Sequence, residues 1–388
     1  MTKWQKVKLG DICEISSGGT PSRANNAYWY DGTIPWVKIS DMNSKYIDGT
    51  EEMITQQGVD NSSAKLYKKG TLLYSIFASI GEVGILNIDA TCNQAIAGLE
   101  PKHNICKNYV YYVLKALKRL VSKKGRGVAQ NNINLSILRN IEIPLPPREE
   151  QERIAKELDA VADLLEKQKQ LLSEQDTLIK SIFYDMFGDP VTNDKGWKIE
   201  KLEKFVDVIG GYAFKSGLFK KTGIPVLRIG NINTGVLKVD NLTFWDNDKS
   251  LSKYVVYPKD LVISLTGTVG KDDYANVCIL SGEYNKYYLN QRNAHIVIKT
   301  SIDNVYLFCL LRNKEVKSRL TGISRGVRQA NISNKDILNL LIPVPPLPLQ
   351  QKFAAVVEQI EVQKQKIKSA ITETETLFNT LMAKYFDE

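Results

Sequence analysis

Two heptad seams, each introduced by the same proline-rich phrase, restrict what this chain can fold into more than any other feature. The first phrase is Ile141-Glu-Ile-Pro-Leu-Pro-Pro-Arg-Glu-Glu-Gln151 and the second Leu340-Leu-Ile-Pro-Val-Pro-Pro-Leu-Pro-Leu-Gln350. Ile143, Pro144, Pro146, Pro147 and Gln151 match Ile342, Pro343, Pro345, Pro346 and Gln350 at a constant offset of 199. Behind the first phrase, Ile154, Leu158, Val161, Leu165, Gln168, Leu172, Gln175, Ile179, Ile182 and Met186 alternate steps of four and three. The same offset yields Phe353, Val357, Ile360, Lys364, Ile367, Ile371, Thr374, Phe378, Leu381 and Tyr385. Such spacing is that of a helix with one apolar face, and nearly 40 residues of it would span roughly 55–60 Å. A lone helix of that length needs a partner for its seam. Two equal helices in one chain can supply each other, paired antiparallel. Gln168, Gln175, Lys364 and Thr374 interrupt the seam; they either set its register or lie at a solvent-facing edge.

The helices divide the chain into blocks 1–147, 148–190, 191–346 and 347–388, and the third block replays the first in order. Ile224-Pro-Val-Leu-Arg-Ile229 repeats Ile34-Pro-Trp-Val-Lys-Ile39, and Asn290-Gln291 repeats Asn93-Gln94. Arg325-Gly-Val-Arg-Gln329 repeats Arg126-Gly-Val-Ala-Gln130. Between these landmarks the two blocks differ almost everywhere. A duplication this long fixes the architecture before any local reading does. The expectation is an α+β chain of two similar globular domains, joined by two long helices in an antiparallel coiled coil with pseudo-two-fold symmetry. Its seam would be made by Ile154, Leu158, Val161, Leu165, Leu172, Ile179 and Ile182 against Phe353, Val357, Ile360, Ile367, Ile371, Phe378 and Leu381. The first helix should stop near Phe187, because Gly188-Asp-Pro190 supplies a C-terminal glycine and a breaker.

Net charge is +9, and its distribution is uneven. The helical blocks 148–190 and 347–388 carry −5 and −1; blocks 1–147 and 191–346 carry +6 and +9. A polyanion would be drawn to the globular blocks, although generic surface charge accounts for the bias as well. No stretch approaches the ~18–20 apolar residues of a membrane span. The N-terminus lacks an apolar signal region, so a cytoplasmic protein without membrane contact is expected. Cys13, Cys92, Cys106, Cys278 and Cys309 show neither metal-ligand nor disulfide spacing, which fits a reducing compartment.

Catalytic motifs are missing. His103 and His295 stand apart from any nucleophile or second ligand and read as structural. Gly267-Thr-Val-Gly-Lys-Asp272 is too short for a phosphate-binding P-loop and reads as a turn. Loops rich in Arg, Lys, Asn, Gln, Ser and Thr, by contrast, have the chemistry to hold phosphates and read base edges. In the first half the candidates are Thr20, Ser22, Arg23, Lys38, Asn43, Lys45, Lys123, Lys124, Arg126 and Gln130. In the second they are Lys215, Ser216, Arg228, Asn231, Asn233, Arg325, Arg328 and Gln329. Arg126/Gln130 and Arg325/Gln329 are shared by both halves, so they suit positioning or packing: a shared residue cannot read two different sequences.

With its duplicated order, its two proline phrases ending in Gln, its Met186-Phe-Gly-Asp-Pro190 helix ending and its Ser16-Ser-Gly-Gly-Thr-Pro-Ser-Arg23 loop, the chain resembles the specificity subunit of a type I restriction–modification system. The second half departs from the loop pattern, with Gly211-Tyr-Ala-Phe-Lys-Ser216. The resemblance implies two target-recognition domains, each reading half of a split double-stranded DNA site, with the helices as spacer and docking surface. It implies no catalysis and no cofactor in this chain. Its partners would be two methyltransferase subunits using S-adenosylmethionine, and restriction subunits using ATP. The competing readings are an enzyme with an unrecognised site and a scaffold whose globular domains bind protein.

Overall fold

The computed structural model describes residues 4–123, 133–322 and 329–387. It divides into two compact units, one of residues 1–170 with 369–388 and the other of residues 171–368, so each unit takes half of each long helix. Those helices are Arg148–Phe187 and Leu347–Phe386, 40 residues apiece. Prolines fix the chain ahead of each start, and Pro348 sits in the first turn of the second helix, where a missing N–H costs nothing. The first helix ends at Gly188, whose φ of +73° an L side chain would resist and whose N–H donates to Tyr184 O at 2.8 Å.

The first unit is built on a five-stranded sheet ordered Cys13–Ser17, Ile96–Pro101, Leu72–Ser75, Val83–Leu86, Tyr46–Ile47, antiparallel except for its last pair. Successive side chains of a strand face opposite ways. Leu72, Tyr74, Ile85 and Leu99 therefore pack on the side of helix Lys107–Lys123, against Tyr109, Tyr112 and Val113. Leu73, Leu86 and Ile96 face the other way, toward Val37 and Cys92 of a three-stranded sheet ordered Glu52–Ile54, Ile34–Val37, Thr91–Cys92. Burial on both faces explains why Leu72–Ser75 is wholly buried.

The second unit repeats this plan. Its main sheet runs Val206–Gly210, Asn293–Ile298, Leu261–Ser264, Val277–Ile279. Leu261 and Ile263 pack with Tyr306 of helix Asn304–Arg312, whereas Val262 faces Leu227 and Leu289 of a second sheet. That sheet is ordered Thr243–Trp245, Ile224–Leu227, Tyr287–Leu289, Val255–Val256.

The repeated phrase seats each globular part on its helices. In the first unit Lys6–Lys8 pairs antiparallel with Glu142–Pro144, and in the second Lys198–Lys201 pairs with Leu341–Val344. The Tyr109 hydroxyl donates to Pro144 O at 2.6 Å, and the Tyr306 hydroxyl to Pro343 O at 2.8 Å. Gln151, buried, donates to Pro146 O at 2.8 Å and accepts from Cys106 N at 2.8 Å. Gln350, also buried, donates to Pro345 O at 2.7 Å and accepts from Asp303 N at 2.8 Å. A buried carbonyl beside prolines has few backbone donors within reach, so the glutamine after each phrase supplies one.

Both units contain antiparallel helix pairs. In the first, Ile154 and Leu158 are buried with Leu381, Tyr385 and the flanking Phe386, and Val161 and Phe378 pack against them. Lys169 pairs with Glu375 at 3.1 Å, and the Tyr385 hydroxyl donates to Glu157 at 2.6 Å. In the second, Phe353 and Val357 are buried with Phe183 and Phe187, flanked by Ile179 and Ile182, while Ile360 is 5% exposed. Toward the middle of the helices Leu165, Leu172, Ile367 and Ile371 are half-buried, as a seam with a single partner helix requires. The polar interruptions differ in their roles. Lys364 Nζ pairs with Asp176 at 2.8 Å and Glu361 at 2.6 Å, and Thr374 is buried, donating to Ala370 O. Gln168 and Gln175 each bury a side-chain oxygen that has no hydrogen-bond partner among the described residues.

Candidate nucleic-acid interface

The repeated landmarks converge on one place in each unit, and the residues they share form its turns. Lys38 N donates to Asp41 Oδ2 at 2.8 Å, closing the turn after strand Ile34–Val37. Arg228 N donates to Asn231 Oδ1 at 2.9 Å, closing the matching turn after Ile224–Leu227. Asn93 Oδ1 accepts from Ala95 N at 3.0 Å, and Asn290 Oδ1 from Arg292 N at 3.4 Å. The glycine pairs pack directly on these asparagine turns. A Cβ on Gly18 would lie 2.3 Å from Cys92 O, and one on Gly211 2.3 Å from Asn290 O, which excludes any side chain. The frame is thus common, and the side chains projecting from it differ.

In the second unit the frame opens into a cleft of about 860 Å³ lined by Arg228, Lys238, Asn241, Gln291, Arg292 and Phe219, with Ser216 among the rest. Three cations face one carboxylate there, that of Asp240, so the cleft suits an anionic or acceptor-rich ligand. Asn231 ties the cleft wall to its floor, donating to Lys238 O at 2.9 Å. Arg228 is held by its Nη2, which donates to Asn241 O at 3.1 Å, and its guanidinium lies 5.8 Å from the Phe219 ring centre.

The first unit fills the matching place differently. Lys38 Nζ pairs with Glu51 at 2.6 Å and Glu52 at 2.8 Å. Arg23 also pairs with Glu52, and its guanidinium stacks 3.6 Å from the Trp29 ring and 4.8 Å from Trp36. Hydrogen bonds from Arg23 and then Lys38 hold the Glu52 carboxyl below its usual range, and those to Glu51 and Glu52 push the Lys38 ammonium up. Thr20 donates to Gln94 beside this network. Ser22 offers its carbonyl to Trp29 Nε1 at 3.1 Å.

Two of the expected DNA contacts have partners within the fold. Asn231 is buried at the edge of the cleft, and its amide bonds backbone at both ends, accepting from Arg228 N and donating to Lys238 O, so it shapes the cleft. Lys45 pairs with Asp159 on the first long helix, where Tyr112 and Asn108 also donate, and so fastens the globular part to the helix. Asn43 donates to Ser40 O at 2.6 Å on an exposed turn, Lys215 is exposed, and Asn233 closes the turn after Ile232. Lys124, Arg126, Gln130, Arg325 and Arg328 lie outside the described residues; Lys123 and Gln329 are described in backbone alone. Lys238, Asn241 and Arg292 stand in no repeated motif. The repeated Asn290-Gln291 marks one side of the cleft, but only the fold brings 238–241 alongside.

Among the described residues no group of three or more His, Cys, Asp or Glu is placed to hold a metal, and no helix is long and apolar enough to cross a membrane. Gly267 lies in the strand Thr266–Thr268, and the Asp273 carboxylate closes the turn after it by accepting from Thr268 N at 2.8 Å. All five cysteines are free thiols.

The type I restriction modification DNA specificity domain matches residues 1–174 and again 194–374. The type I restriction enzyme MjaIX specificity subunit of Methanocaldococcus jannaschii is 27% identical over 385 residues, spanning 92% of this chain and 86% of its own. The MjaVIII specificity subunit of the same organism is 27% identical over 381 residues, with the same coverage. Among solved structures, the S subunit of a type I restriction–modification system from M. genitalium shares the fold with a TM-score of 0.60. It is 16% identical, with 100% of this chain and 97% of that chain covered. A family match over both halves, on a fold duplicated in the same way, places the chain in the type I restriction–modification DNA specificity family.

Proposed function

We propose that each unit reads one half of a split, asymmetric double-stranded DNA target, that the long helices set the distance between the halves, and that two methyltransferase subunits dock on them. The carrying observation is a shared frame with unlike side chains. Asp41 and Asn231 build the same turn, yet it presents a neutralised lysine in one unit and an arginine lining a basic cleft in the other. Base edges are distinguished by donor and acceptor pattern, so unlike side chains on like frames suit two unlike half-sites. The helical blocks, at −5 and −1, are poor surfaces for DNA and better ones for protein. Leu164 and Leu377 in the first unit, and Leu171 and Leu178 in the second, stay exposed on the helices, available to a partner's helices. On this reading S-adenosylmethionine and ATP belong to the methyltransferase and restriction subunits, and this chain contributes recognition alone. The test is to replace residues 191–346 with the corresponding block of another family member and map methylated sites in a host carrying the methyltransferase. One half-site should change and the other should persist. A change in both halves, or in neither, removes the reading.

A further inference from the structure

Arg228 is the side chain in the second unit's cleft whose position is matched in the first unit and whose chemistry is not. Asn290 and Gln291 recur as Asn93 and Gln94, and Asn290 serves its own turn. Asn231 recurs as Asp41 in the same hydrogen bond. At position 228, however, Lys38 is the counterpart, and it is saturated by Glu51 and Glu52. No salt bridge involving Arg228 is found among the described residues, and its only charged neighbour lining the cleft that could neutralise it is Asp240. Its Nη2 is pinned to Asn241 O, its plane lies beside Phe219, and its Nε is buried with no hydrogen-bond partner among the described residues. A guanidinium fixed in this way has already lost most of its rotamer freedom. Its remaining N–H groups form a flat, directional fork, which suits paired acceptors better than a diffuse charge. Guanine offers two such acceptors, O6 and N7, on one edge in the major groove.

We propose that Arg228 is a specificity-determining residue that donates to the O6/N7 edge of a guanine in the half-site read by the second unit. This rests on the reading that the unit binds DNA, and deepens it to a base and a residue. Phosphate, the other planar acceptor for arginine, is the competing ligand, and the two differ in what substitution does: a base contact specifies, whereas a phosphate contact positions.

The experiment uses the full chain assembled with its methyltransferase subunits, acting on a pool of targets randomised across the half-site that the block exchange assigns to residues 191–346. The wild type is expected to require guanine at one position of that half-site. In Arg228→Met, which keeps the packing on Phe219 and removes the donors, that preference should fall by roughly ten- to a hundredfold, with the remaining positions still selected. Arg228→Gln should move the preference toward adenine, whose N6/N7 edge a glutamine amide matches. If one variant does not assemble, the other decides. An unchanged motif, a loss spread evenly over all sequences as for a phosphate contact, or a wild-type half-site without guanine on either strand overturns the proposal. A wild type selecting no bipartite motif at all instead removes the DNA-reading premise, and this assignment with it.

Discussion

His295 lies on the strand Asn293–Ile298, paired with Val262, and its Nε2 is 3.4 Å from the Asp260 carboxylate. Burial holds the imidazole below its ordinary value of 6.5, and the nearby Asp260 only partly opposes that. A group charged more readily in the unfolded chain than in the fold makes stability fall as pH drops through its unfolded value. Second-unit stability should therefore decline between about pH 7 and pH 5.5, by no more than about 1.4 kcal/mol per pH unit from this group. Hydrogen exchange at the Val262 amide reports it, and His295→Gln should flatten the dependence. Identical pH slopes in wild type and variant would show that the histidine is not responsible. At this scale the sequence could be read only in part. Residue type names possible donors, but not what already occupies them. Asn231 and Lys45 have the chemistry of base or phosphate contacts, and the fold also engages both, one in a turn and one against Asp159. Arg228 and Lys38 read alike from sequence; only the placement of Glu51 and Glu52 separates them.

The long helices carry the most regular signal in the chain, and the structure follows it closely. Periodicity survives because a seam needs only apolar residues at the right spacing, whatever lies elsewhere. The small sheets were harder to read, since Leu72–Ser75 and Val83–Leu86 are buried on both faces and show no alternation. The pairing of Lys6–Lys8 with Glu142–Pro144 joins residues too far apart in sequence for any local pattern to reveal. Within the seam, Gln168 and Gln175 are out of keeping with their neighbours. Each buries an amide oxygen without a hydrogen-bond partner among the described residues. An unsatisfied buried acceptor costs about 1–3 kcal/mol, and a leucine at a seam position adds apolar burial. Gln168→Leu and Gln175→Leu should each stabilise the full chain by about 1 kcal/mol, read as a higher unfolding midpoint in denaturant, at some loss of register selection. A lowered midpoint in both variants would mean that the amides are well satisfied and hold the pair together.

At the scale of the whole molecule, the proposal that the helices measure the gap between half-sites makes a numerical demand. Each helix is 40 residues long, and the division between units falls after residues 170 and 368. Four residues inserted at both points add roughly 6 Å of rise and about 40° of rotation beyond a full turn. For a rod lying along a duplex, the rise corresponds to roughly two base pairs and the rotation to roughly one, at about 3.4 Å and 35° per step. The preferred gap should therefore lengthen by one to two base pairs, with both half-sites unchanged, and methylation mapping reads this directly. Insertion into one helix alone shifts half of the seam by a turn against its partner. Either Lys169 would then lose Glu375, or Phe353 would be displaced from Phe183 and Phe187, so assembly with the methyltransferase should fail. Together the two insertion variants separate a ruler from a tether. A flexible connector would tolerate the single insertion and leave the gap broad, whereas a paired rod must reject the first and count out the second.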